Sequence, residues 1–177
     1  MKLKSGSFAF IAIAAMVCAM LGGCGPFWVN PYITVSPSHL NWVEIHYYNL
    51  KHKPPRKTAV YLNGAGHVEL RKGTSELVSN DFAKRNDSAE WEKIKTQRVT
   101  ADPKHINDIF QNLVNYGLLD REKSFKGAKK EQYDRFIAVK ANICNYTYSE
   151  RDNIFEVDPD LAEQLLDVVR EFDNPTL

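Results

Sequence analysis

The strongest constraint on the fold lies in mid-sequence, where Thr58 to Leu62 and His67 to Arg71 flank Asn63-Gly64-Ala65-Gly66. Asn and Gly tolerate the positive φ angles of a tight turn, so two short strands joined this way make a hairpin and commit the chain to antiparallel pairing. Leu40 to Tyr48, just upstream, alternates: Val43, Ile45 and Tyr47 fall on one face, and Trp42, Glu44, His46 and Tyr48 on the other. That is the period of a strand with at least one buried face. In the hairpin, Val68 and Leu70 point inward while His67, Glu69 and Arg71 point out.

Residues 79 to 92 are polar and read as a surface loop, followed by a strand near Lys93 to Val99. Asp102 then caps a helix, Pro103 suits its first position, and Ile106, Ile109, Phe110, Leu113 and Val114 recur at helical spacing until Gly117 stops it. Asp120 to Gln132 is loop-like, with Lys123, Lys126, Lys129 and Lys130 solvated or facing anionic headgroups or an acidic partner. Tyr133 to Lys140, Ile143 to Tyr148 and Asn153 to Val157 read as three more strands. A second helix opens at Asp158-Pro159 and carries Leu161, Leu165, Val168, Val169 and Phe172 on one stripe.

This order predicts an α+β fold, a mostly antiparallel sheet of about six strands with two amphipathic helices packed on one face. The opposite face then presents Trp42, His46 and Tyr48, with His67 beside them, as a partner or ligand surface. Composition fits one domain over residues 39–177: 44% of the 177 residues are hydrophobic and 25% charged, which excludes a multidomain enzyme or a polytopic membrane protein. The net charge of +1 points to no nucleic-acid partner.

The N-terminus constrains location. Lys2 and Lys4 precede 14 apolar residues, Phe8 to Leu21, ending in Leu21-Gly22-Gly23-Cys24. A membrane-crossing helix needs about 20 such residues, so the run reads as the core of a signal peptide spanning residues 1–23. Leu21, Gly22, Gly23 and Cys24 resemble the lipobox of bacterial lipoproteins. The resemblance implies recognition of Leu21, Gly22 and Gly23 by the lipoprotein signal peptidase and cleavage before Cys24. It further implies a membrane anchor made of diacylglycerol on the Cys24 thiol, with a third acyl chain such as palmitate on the new amino group. Gly25 in place of Asp implies, by analogy with lipoprotein sorting, the periplasmic side of the outer membrane in a two-membrane cell. Residues 24–38, with three prolines from Gly25 to Ser38, read as an extended tether.

Cleavage removes Cys18 and acylation occupies Cys24, so Cys144 is the one remaining thiol, expected as a small hydrophobe in a buried strand, and an internal disulfide is excluded. The pattern over residues 40 to 172 also resembles uncharacterised domains of bacterial lipoproteins, in which a Gly-containing hairpin precedes a helix ending as in Tyr116-Gly117-Leu118-Leu119-Asp120. That resemblance implies fold without an activity.

No catalytic constellation stands out. Asn63-Gly64-Ala65-Gly66 leads into a strand rather than the helix that a phosphate loop requires, and no Gly-x-Ser-x-Gly elbow occurs. His39, His46, His52, His67 and His105 show no metal-ligand spacing, and no cofactor or metal is implied. The expectation is a non-enzymatic envelope lipoprotein whose domain binds another envelope protein. The alternative is a small-ligand-binding protein or hydrolase with a site near Trp42, His46 and His67, where strand pairing joins the two histidines to Glu44 or Glu69.

Overall fold

The computed structural model describes residues 33–76, 78, 91–120, 134–149 and 152–173. Cys24, the signal segment and the lysines from 123 to 130 lie outside the described residues, as does most of the expected loop over 79–92. The fold is α+β. Six strands, β1 (Trp42–Asn49), β2 (Arg56–Asn63), β3 (His67–Thr74), β4 (Glu92–Thr100), β5 (Arg135–Ile143) and β6 (Tyr146–Ser149), form one sheet in the order β4-β3-β2-β1-β5-β6. Every pairing is antiparallel. The helices are α1 (Pro103–Asn115), the single turn α2 (Ile154–Val157) and α3 (Pro159–Asp173).

One sheet face builds the core. Val43 and Ile45 of β1 pair with Leu62 and Val60 on one side and Ala141 and Val139 on the other, all fully buried. Onto this layer α1 sets Ile106, Phe110, Leu113 and Val114, and α3 sets Leu161, Leu165, Val169 and Phe172, so both expected stripes are the buried ones. Each large side chain taken out of water there contributes roughly 1.5–3 kcal/mol.

The helix ends follow their local chemistry. Asp102 Oδ1 accepts the Lys104 N–H at 2.9 Å. At the other end Gly117 takes φ 93°, and the Gly117 and Leu118 N–H groups reach back to the Val114 and Leu113 carbonyls, both at 3.0 Å. Glycine adopts that left-handed angle without a Cβ penalty, and Leu118 beyond it is fully buried.

Three expectations are corrected. Asn153 to Val157 is not a strand: the Asn153 side chain caps α2 at Phe155 N and also bonds β5, accepting from Ile137 N at 3.1 Å and donating to Arg135 O at 3.0 Å. One amide side chain thus satisfies the stretch of β5 edge that β6 is too short to cover. Cys144 is not in a strand either. Cys144 and Asn145, at φ 51° and 66°, form the two-residue turn between β5 and β6, and the half-buried thiol packs against the core from there. Finally, Ile33 to Ser38, read as tether, lies on the domain. Val35 is buried, its N–H donates to Gln111 Oε1 at 2.8 Å, and Gln111 Nε2 donates to Ile33 O at 3.0 Å.

Candidate functional site

The outer face of the sheet, opposite the helices, carries the polar chemistry. The register arranges its side chains in rows across the strands. One row runs Lys140, Glu44, Tyr61, Glu69, Arg98 from β5 to β4, and the next runs Ala138, His46, Ala59, Arg71, Thr96. A third places Phe136, Tyr48, Lys57 and Gly73 side by side. The face divides into a sealed half and an open half.

In the sealed half, Ala138 and Ala59 flank His46 and leave a trough, and Gly73 leaves its far wall open. Trp91 fills it. A Cβ on Gly73 would stand 2.6 Å from the Glu92 carbonyl oxygen, too close to keep the chain in place there. The indole meets the His46 ring edge-on with centroids 6.4 Å apart, and Lys57 Nζ lies 3.9 Å from its ring centroid and 5.2 Å from that of Tyr48. A cation held between two aromatic faces gains from both ring quadrupoles. Tyr48 packs edge-on against Phe136 at 5.6 Å, with Leu50 and Val78 beside them. His46 and Tyr48 are therefore buried rather than presented, Lys57 is a buried strand residue, and Trp91 is core rather than surface.

A chain of charged contacts leads out of this half. His46 Nε2 and Glu44 Oε1 are 3.0 Å apart, Arg71 Nη2 lies 3.2 Å from the same oxygen, and Arg71 Nε lies 3.5 Å from Glu69 Oε1. Arg98 Nε then donates to Glu69 Oε2 at 2.8 Å. Burial pushes the His46 imidazole down to about 4, against the hydrogen bond and charge of Glu44 and reinforced by Lys57 and Arg71. His46 is thus neutral at neutral pH and donates its Nε2 proton to Glu44. Burial raises the Glu44 carboxyl, but the His46 hydrogen bond and the charges of Arg71 and Lys140 outweigh it and hold it below the usual carboxylate value. A buried carboxylate that keeps its charge in this way needs its partners in place.

In the open half, Trp42 and Tyr61 stack diagonally across β1 and β2, centroids 6.2 Å apart and planes 28° apart, with Lys140 Nζ 5.9 Å from the Trp42 ring. Beside Tyr61 a recess of about 390 Å³ is walled by His67, Glu69, Arg98 and Thr100, with Val68 and Val99 between them. The expected neighbours do not all meet. Glu44 joins His46, but His67 sits four residues beyond Arg71 and two strands away, roughly 16 Å from His46 by strand geometry. Trp42 and His67 belong to the open half; His46 and Tyr48 belong to the sealed half. Among the described residues no three His, Cys, Asp or Glu side chains converge as metal ligands.

Sequence reasoning missed Lys57, Arg71 and Trp91 as members of one cluster. Period-two alternation places Lys57 with Ala59 and Tyr61, and two small residues beside His46 signal a trough, but nothing local announces that Trp91 fills it. No protein-family model, curated protein or solved structure matches the chain.

Proposed function

We propose that the protein is a bacterial cell-envelope lipoprotein, anchored through acyl chains on Cys24 and presenting its α+β domain to bind another envelope component. The observation that carries this reading is the charged start, the 14-residue apolar run and the Leu21-Gly22-Gly23-Cys24 ending. Several buried acyl chains, each contributing about 0.8 kcal/mol per CH₂, hold a protein on a bilayer where one chain does not. No helix among the described residues is long and apolar enough to cross a membrane. Eight residues separate Cys24 from Ile33, which packs against the domain core, so even a fully extended connection keeps Ile33 within about 30 Å of the anchor. The open half of the outer sheet face, around Trp42, Tyr61 and His67, is the surface this domain offers.

Intact mass spectrometry of protein from membranes tests the anchor. The expected species starts at Cys24 and carries diacylglycerol and an amide-linked acyl chain, and Cys24→Ala abolishes both the lipid mass and the cleavage. A wild-type N-terminus elsewhere, or an unmodified Cys24, refutes it.

A further inference from the structure

β4 is unlike the other strands. All nine of its residues are exposed, Ile94 and Val99 among them. It ends the sheet order, so along Ile94 to Thr100 alternate backbone N–H and C=O groups face away from β3, and no strand among the described residues pairs with them. A long exposed edge is a ready template for another strand. Two further observations define what fits. The edge carries Lys93 and Lys95 against one acid, Glu92, while Arg98 is already paired with Glu69 and Lys72, directly opposite Lys95 on β3, with Asp173, so the positive charge left along the edge is that of the two lysines. The recess beside Tyr61 is walled partly by Arg98, Val99 and Thr100 of this same strand.

From these we infer that β4 is a docking edge for an extended acidic segment of another protein, which adds as a seventh strand and places one large apolar side chain at the β4 side of the recess, beside Arg98 and Thr100. Main-chain bonds to an edge give such complexes their affinity, and pockets for alternate side chains give specificity. Alternation sorts the contacts: Lys95, Gln97 and Val99 share the helix side with the buried Val68 and Leu70, while Thr96, Arg98 and Thr100 share the recess side with Glu69. Acidic residues of the added strand therefore line Lys95, and its apolar residues face the recess. A second copy of this chain is the wrong occupant, because two β4 edges together double an excess of positive charge.

This inference names the partner class for the proposed binding role and rests on that reading only for the compartment. The test uses the purified full chain in detergent micelles and a synthetic peptide, Glu-Val-Glu-Phe-Glu-Val-Glu, beside the same peptide with lysine in place of glutamate. Hydrogen exchange of alternate β4 amides is expected to slow at least tenfold at saturation with the glutamate peptide and to stay unchanged with the lysine peptide. K93E/K95E should reverse that preference, a result that requires a folded protein, and replacing the peptide's phenylalanine by alanine should weaken its binding. Unchanged exchange at millimolar peptide, equal response to both peptides, or insensitivity to K93E/K95E overturns the proposal. So does sedimentation showing a dimer that Thr96→Pro dissolves, which gives the edge to a second copy. Peptide binding is blind to acylation, so failure here and failure of the lipid anchor are read separately.

Discussion

The two halves of the outer sheet face share strands, register and residue types, yet one is shut and the other is not. Trp42 and Tyr48 are both aromatic residues of β1 on the same face, six positions apart. Tyr48 is fully buried under Phe136 and its neighbours, while Trp42 is half-buried against Tyr61. The difference comes from what crosses above them. Trp91 and Val78, from the connection between β3 and β4, lie on the Tyr48 end, and the Trp42 end retains a recess. The sealed half holds the sheet together with charges and rings, as the helix side does with aliphatic packing, and the open half keeps a recess at the surface.

The largest expected effect comes from the helix side. Phe110→Ala should cost about 4 kcal/mol, read by denaturant unfolding, because α1 cannot close over the vacated space. Trp91→Ala should cost nearly as much, about 3 kcal/mol, if the sealed half is a true second core. A cost like that of a surface change would erase the division. Acid sharpens the point. His46 is held down to about 4 against 6.5 in the unfolded chain, so below pH 6.5 the unfolded state takes up a proton that the native state refuses. Its contribution is complete above pH 6.5 and falls as the pH drops to about 4, a loss of roughly 3 kcal/mol that His46→Gln should flatten. Glu44, with its lowered value, adds a loss in the same direction as the pH falls further, from below 4.5.

Asn153→Ala should cost about 2 kcal/mol, since it leaves Ile137 N–H and Arg135 C=O without their partner on the β5 edge. Smallest of all, Tyr61→Ala in the open half should change stability by less than about 1 kcal/mol. A loss there as large as for Trp91 would show that the open half is structural after all.

Most of the fold was legible because its signals are local. Alternation in β1, the Asn63 turn, and the Asp-Pro and Gly117 boundaries each depend on residues close in sequence. What was not legible depended on distant partners. Asn153 stops a strand from forming by bonding β5 sixteen and eighteen residues away, and its neighbours Ile154 and Phe155 look apolar enough for either structure. Cys144 carries none of the usual marks of a turn residue, yet Asn41 accepts its N–H at 2.9 Å and helps hold a left-handed angle that cysteine rarely adopts. For the candidate site, the row of residues on β1 was correctly placed on one face. Burial of half that row was not, because it depends on a single tryptophan arriving from a polar segment.

The central claim is that this face is divided, with His46 sealed beneath Trp91 and the Trp42 end open. NMR titration of the His46 imidazole in the folded protein tests it most directly. The account predicts a neutral ring that donates from Nε2 and does not protonate until the pH approaches about 4. Protonation of His46 near 6.5, with the fold intact, would show water reaching the ring and would contradict the division on which the rest depends.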